Sequence, residues 1–387
     1  MINVKAMEQV SERFDLIRPY FDFEIREAVD RVVSHPWFGE MVAFLFGRDK
    51  IEYVIGELKN VSSVEEFQYR FSQRAVRSIV DKTAESFTFG GLGNLDRSTP
   101  YLFVSNHRDI VLDSAIMQWI LLENGHRTTQ ITFGSNLMSG QFVIDLGRIN
   151  KMFTLFRGGT RIEQYQNAQL HSAYISDAIL EQRESVWIAQ RDGRTKNGDD
   201  RTQAALIKMF SISDRDVCPT LEKLNIVPVS VSYEYEPCAD SKIFECYVKS
   251  QGKQYIKALG EDFKSVLRGI SGWKGKVHME FGTPLNDFIR NLANEDLYFN
   301  GRTMKIAEEI YRQIHRSYGL CPFNYVAFDR LNGSIQYCGV SYSDEDIRRF
   351  DTYAAEVIGN LDGDMAALQA LFVQMYAYPL INKLEYV

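Results

Sequence analysis

Between residues 100 and about 285, short strand-like runs alternate with helical patterns, and this alternation constrains the fold more than any other feature. The runs are YLFVSN (101–106), TQITFG (129–134), MFTLF (152–156), SVWIAQ (185–190), IVPVSVSYEY (226–235) and KVHMEFG (276–282). Helical periodicity fills 114–124, 163–182 and 202–210 between several of them. Strands separated by helices predict an α/β architecture, a helix-flanked and mostly parallel sheet that carries the active site.

Helical regions are expected on both sides. Residues 1 to about 86 read as helical throughout, and MINVKAMEQVSERF reads as a helix start. Phe14, Ile17, Phe21, Ile25, Val29 and Val32 recur at three- and four-residue steps. Arg18-Pro19 interrupts them, because Pro disfavours helix in the residue before it. A second helix is expected over 64–86, with Phe67, Phe71 and Ile79 inward, and GGLGN at 90–94 marks a boundary. From about 286 the chain turns helical again, notably at 303–317, 344–359 and 364–377, with Ser343 and Asp346 spaced as a capping box. The expected division is an N-terminal helical region (1–90), an α/β domain (91–285) and a C-terminal helical region (286–387). No internal repeat is visible.

Composition closes off several functions. The 387 residues are 25% charged and 45% hydrophobic, which excludes disorder and low-complexity arrays. Lys and Arg total 44 against 51 Asp and Glu, a net charge of −7 that disfavours bulk nucleic-acid binding. The five cysteines, at 218, 238, 246, 321 and 338, show no Cys-x-x-Cys spacing, so neither a disulfide framework nor a zinc ribbon is expected. No apolar run approaches the ~20 residues of a membrane-spanning helix. These features lead to the expectation of a soluble or peripheral protein in a reducing compartment.

Polar residues collect at four strand ends. In SNHRDIVLDSA (105–115) a hydrophobic strand delivers Asn106 and His107 to its carboxyl end, where open α/β sheets build their sites, and Asp113 follows where the next helix begins. His exchanges a proton near neutral pH, and a carboxylate on its other ring nitrogen fixes the tautomer. Taken alone, such a pair is more often a surface His beside a helix-capping Asp. FTLFRGG (153–159) ends a strand in Arg157; IAQRDGRTKNGDDRTQ (188–203) runs into Asp192-Gly193-Arg194-Thr195; IVPVSVSYE (226–234) carries Pro228 near its start. A lone Arg after a strand is usually a solvated charge, and Pro in a strand suggests an edge or first position.

The order of these blocks resembles the glycerolipid acyltransferase superfamily, which includes glycerol-3-phosphate and lysophosphatidate acyltransferases. That family has an Asn-His-x4-Asp block, a Phe-x-x-Arg block, a Glu-Gly-x-Arg-Ser block and an apolar strand with Pro. The counterparts here are Asn106-His107 with Asp113, Phe153 with Arg157, Asp192-Gly193-Arg194-Thr195, and Val227-Pro228-Val229. The resemblance covers roughly 100–285. Five residues separate His107 from Asp113 where most members have four, and some bacterial members acting on lyso-lipids or amino-acid lipids are similar in having five. Asp109 is a rival partner for His107, but a residue two positions away must curl its side chain back. The third block has Asp for the usual Glu and is one residue shorter than in the glycerol-3-phosphate members, which bears on the acceptor rather than on the base.

No nucleophile elbow competes with this reading, since Trp273 occupies the last position of Gly269-Ile-Ser271-Gly272. Neither His-Glu-x-x-His nor a calcium loop occurs, and GLGNLD (91–96) lacks the third glycine of a dinucleotide fingerprint, so no metal or cofactor is expected. A His base and a carboxylate suit direct transfer from an acyl thioester to a hydroxyl without an acyl-enzyme. The resemblance implies acyl-CoA or acyl carrier protein as co-substrate and glycerol-3-phosphate or a lysophospholipid as acceptor. Arg157 and Arg194 would hold the acceptor's phosphate, Asp192 would fix the turn that presents Arg194, and Lys196 would assist or stay solvated. An amino-acid-lipid acyltransferase and a non-catalytic lipid- or carrier-binding scaffold are the alternatives. Arg70, Arg74 and Arg77 form a stripe at helical spacing that suits an acidic carrier protein or anionic lipid, or simply a solvated face. His35-Pro36-Trp37-Phe38 with MVAFLF (41–46) reads as an interfacial element or as helical core. The expected location is cytoplasmic, with peripheral contact at the inner membrane face and no nucleic-acid partner.

Overall fold

A computed structural model describes residues 13–137, 140–212 and 216–386. The helix start read at the N-terminus lies almost wholly outside them. Seven strands form one sheet: β1 (Ala84–Gly90), β2 (Leu102–Ser105), β3 (Gln130–Gly134), β4 (Met152–Leu155), β5 (Val186–Ala189), β6 (Ile226–Tyr233) and β7 (Gly275–Phe281), in the order β1-β7-β6-β2-β5-β3-β4. Every neighbouring pair is parallel except β6–β7. The carboxyl ends of β2 to β6 therefore share one edge, where β1 and β7 begin.

The two-residue period of the strands explains the two cores. Phe103, Trp187, Val227, Val229, Val231, Val277 and Met279 face one side with the N-terminal helices Asp22–Ser34, Pro36–Phe46, Ile51–Leu58 and Gln73–Thr83. Leu102, Val104, Val186, Ile188 and Ile226 face the other, against Arg161–Leu180, Ala204–Phe210 and Phe299–Arg316. A third core joins Ala239–Ser250 to Pro322–Asn332, Asp344–Ile358 and Met365–Leu384.

The break at Arg18-Pro19 is present, and Ile25, Val29 and Val32 are inward in Asp22–Ser34. Ser343 and Asp346 do form a reciprocal capping box. Three expectations need correction. The helix expected over 64–86 is cut by a π-helical turn at Gln68–Ser72 and ends at Thr83, and β1 follows without a turn. β1 is an edge strand, partly exposed along its length, so no apolar alternation betrays it. Pro228 lies in a central strand, paired with Val104 of β2. It is tolerated because its carbonyl accepts from Gly282 N–H at 2.8 Å just past the end of β7, so its missing donor falls where that ladder stops. The helices Gln141–Ile149, Cys218–Lys223, Ala239–Ser250 and Glu261–Ser271 were not anticipated.

Candidate active site

β2 ends at Ser105, and the next residue is pinned across the sheet. The Asn106 amide donates to the Val231 carbonyl and accepts from the Val231 N–H, both at 2.8 Å, in place of a backbone rung. His107 then turns out of the sheet. Its Nδ1 lies 2.8 Å from Asp113 Oδ2, at the start of the helix Leu112–Glu123. The same oxygen accepts the N–H groups of Arg108 (2.6 Å) and Asp109 (2.9 Å), and Oδ1 accepts the Tyr233 hydroxyl at 2.8 Å. Burial, with the nearby Asp113 carboxylate, pushes the Tyr233 hydroxyl well above its usual range, so it stays a donor. His107 packs edge-on against Trp187, with ring centroids 5.6 Å apart. Nε2 has no hydrogen bond among the described residues, and it is the nitrogen left to act as a base.

Asp109 occupies a different place. Its Oδ1 accepts from Val111 and Leu112 N–H at 2.9 and 2.8 Å, capping the helix that carries Asp113. Oδ2 is buried with no hydrogen-bond partner among the described residues. Burial, and then the neighbouring Asp113, raise its carboxyl above the ordinary range.

The third block folds back onto the first. Thr195 N–H donates to the His107 carbonyl at 2.9 Å, which fastens the 190–203 loop to the base. Gly193 takes a positive φ of 70° there. Arg194 is buried with Nη1 unpartnered among the described residues, and Thr195 Oγ1 is likewise unpartnered. Asp192 does not brace its own turn. Its carboxylate reaches Arg157 Nη1 at 3.0 Å, with the two side chains 77% and 44% exposed. Phe153 is core beneath Arg157, and burial holds the His171 ring neutral, near pKa 4, so that it accepts the Phe156 N–H at 3.1 Å. Lys196 pairs with Glu245 at 2.7 Å, and burial lowers its pKa.

Beneath the His107 turn, Arg108 is fully buried. Its Nη1 reaches Glu236 at 3.1 Å, its Nε stands 4.0 Å from Asp200, and its carbonyl accepts Lys242 Nζ at 2.7 Å. Lys242 also binds Glu236, so the end of β2, the end of β6 and the helix Ala239–Ser250 are locked together. Tyr233, Trp187, Arg108, Glu236, Lys242 and His171 escaped the sequence reading. Tyr233 and Trp187 sit in quoted strands, where strand pattern alone cannot reveal a partner. Arg70, Arg74 and Arg77 each face carboxylates, Glu66, Glu57, and Asp81 with Glu123 respectively, so they do not form an unopposed basic stripe. No cluster of His, Cys, Asp or Glu suited to a metal occurs among the described residues.

Residues 86–232 match the protein-family model described as Acyltransferase. This span runs from inside β1 to the penultimate residue of β6 and includes His107, Asp113, Arg157 and Arg194. The chain thus carries an acyltransferase domain over these residues. The His107–Asp113 block lies inside that domain. Among solved structures it is similar to the 1-acyl-sn-glycerophosphate (LPA) acyltransferase PlsC from Thermotoga maritima, at 12% identity and a TM-score of 0.33, over 73% of this chain and 94% of that one. No curated protein matches the sequence.

Proposed function

We propose that this chain moves a fatty acyl group from an acyl thioester, acyl-CoA or acyl carrier protein, to the hydroxyl of glycerol-3-phosphate or a lysophospholipid. The observation that carries this reading is the His107–Asp113 pair at the end of β2, with Nε2 unoccupied, inside an acyltransferase domain. Nε2 takes the acceptor's hydroxyl proton as the oxygen attacks the thioester carbonyl. The C–S bond breaks as the tetrahedral adduct collapses, and the imidazolium returns its proton to the departing sulfur. Asp113 keeps the proton on Nδ1 in the ground state and stabilises the imidazolium, a general-base contribution of about 10²–10⁴-fold.

Arg157 and Arg194 are the acceptor's phosphate ligands in this reading. An exposed pair such as Arg157–Asp192 is worth only ~0–1 kcal/mol, so a phosphate with two charges can displace the carboxylate. The unpartnered Nη1 of Arg194 is a buried donor awaiting an acceptor. Cytoplasmic residence with peripheral contact at the inner membrane face suits a lipid acceptor. The five-residue gap between His107 and Asp113 supports a second reading, an amino-acid-lipid acceptor.

Mass spectrometry of products from acyl-CoA or acyl carrier protein with a panel of acceptors tests the class. Acceptor KM for phosphorylated and unphosphorylated analogues then tests the ligands. Arg157→Ala and Arg194→Ala should each lose about 1.5–3 kcal/mol, roughly ten- to more than a hundredfold in kcat/KM, with donor KM unchanged. Arg157→Lys should recover part. Equal use of both analogues, indifferent to either Arg, would replace the phosphoglycerol reading with the amino-lipid one.

A further inference from the structure

The helix Glu261–Ser271 leaves two of its large apolar residues facing outward. Its buried residues are the small ones, Ser265 and Gly269, while Phe263 and Leu267, four positions apart on one face, are 47% and 51% exposed. The small inner face has a cause. Gly269 lies so close to the Asp109 carboxylate that a Cβ would run into it, and Asp109 is two residues from His107. The outward apolar surface continues into the preceding loop, where Ile256 is 81% exposed and Leu259 wholly so. Half-exposed Trp37 stacks on Phe263 with centroids 5.6 Å apart. At the other end, Asn136 donates to Asp262 at 3.2 Å, and Ser135 beside it accepts the Arg157 N–H at 3.3 Å. The helix therefore runs from beside the base of the site to its phosphate-facing rim, with the apolar residues on its outer face.

Its charge departs from that of the chain. Residues 251–273 hold Lys253, Lys257, Lys264 and Arg268 against Glu261 and Asp262, an excess of cations in a protein of net charge −7. Lys257 pairs with Asp262 and Arg268 with Asp240, whereas Lys253 and Lys264 meet no carboxylate among the described residues. Single exposed apolar residues need no explanation, but several in one helix and the loop before it, interleaved with uncompensated lysines, match an interfacial helix on an anionic surface.

We infer that Ile256, Leu259, Phe263, Leu267 and Trp37, with Lys253 and Lys264, dock on an anionic phospholipid surface and set the mouth of the site at the interface. This rests on the reading that the acceptor is lipid-borne. The test is sedimentation of the full chain with phosphatidylcholine vesicles, plain or with roughly a quarter phosphatidylglycerol. Wild type should bind the anionic vesicles at least about tenfold better, and the double variant L259Q/F263Q should lose about tenfold of that binding. K253E/K264E, changed at exposed positions, should erase the preference for anionic lipid and carries the test if the first variant does not fold. Transfer to a water-soluble short-chain acceptor should stay within about twofold of wild type in both variants, which separates docking from catalysis. Binding that ignores anionic lipid, or survives both variants, overturns the inference. A chain inert toward every acceptor, yet bound to vesicles through this patch, would sink the proposed function and leave the docking surface standing.

Discussion

Asp109 and Asp113 stand four positions apart, and their hydrogen bonds assign them separate duties. Asp113 takes His107 Nδ1, two backbone N–H groups and a tyrosine hydroxyl, while the Asp109 carboxylate caps a helix and makes no hydrogen bond to His107. Replacing His107 with Ala should abolish acyl transfer with the fold retained, as read by circular dichroism. Asp113→Asn should lose most activity, since an amide stabilises the imidazolium poorly. Asp109→Asn should be mild, because the amide oxygen still accepts from Val111 and Leu112. Activity lost with Asp109→Asn and kept with Asp113→Asn would reverse the assignment. The two also differ in pH behaviour. A carboxyl whose folded pKa is raised binds its proton more tightly when folded, so its contribution is present at low pH and lost as pH rises through the folded value. Asp109→Asn cannot ionise. Its melting temperature relative to wild type should therefore climb as pH rises above about 4, the ordinary Asp value. A constant offset across that range would show that Asp109 has no raised pKa.

At the scale of elements, the helix Glu261–Ser271 offers a reversal of an ordinary rule. Gly to Ala inside a helix normally stabilises by about 1 kcal/mol. At Gly269 the new methyl meets an Asp109 carboxylate that two backbone N–H groups hold in place, so the change should instead destabilise by about 1–3 kcal/mol. Thermal melts of Gly269→Ala decide the sign. This contact also shows where sequence reading stops. The strands β2 to β7 were legible because their apolar runs are bounded by turns and helical periods. His107 with Asp113 was legible because a strand end and a helix start bring them together locally. β1 was not, since an exposed edge strand buries too little to leave a pattern, and it follows its helix with no Gly or Pro between. The pairing of Asp192 with Arg157 was not either, because it joins two loops that only the sheet order makes neighbours.

For the whole molecule, the sheet and the C-terminal helices meet in buried charge. Lys242 and Arg108 share Glu236, the Glu236 N–H donates to the Tyr376 hydroxyl at 2.8 Å, and His315 Nε2 lies 3.1 Å from the Asp200 carbonyl. Breaking a buried pair leaves its partner uncompensated, which typically costs about 3–5 kcal/mol. Lys242→Met should lower stability by that order in denaturant titration, and it should slow transfer because the Arg108 carbonyl beside His107 loses its donor. An unchanged midpoint would mean that water already screens the cluster. β1 has further significance for how the protein is made. Among the described residues it pairs only with β7, Phe87 opposite Val277, about 190 residues later in the chain. At ribosomal rates of 5–20 residues per second, roughly 10–40 s pass between synthesis of the first strand and arrival of its partner. Throughout that interval a nascent edge with free backbone donors and acceptors stands beside a growing chain. Until residue 281 has emerged that edge cannot make its native pairing, and the order of the sheet imposes the wait.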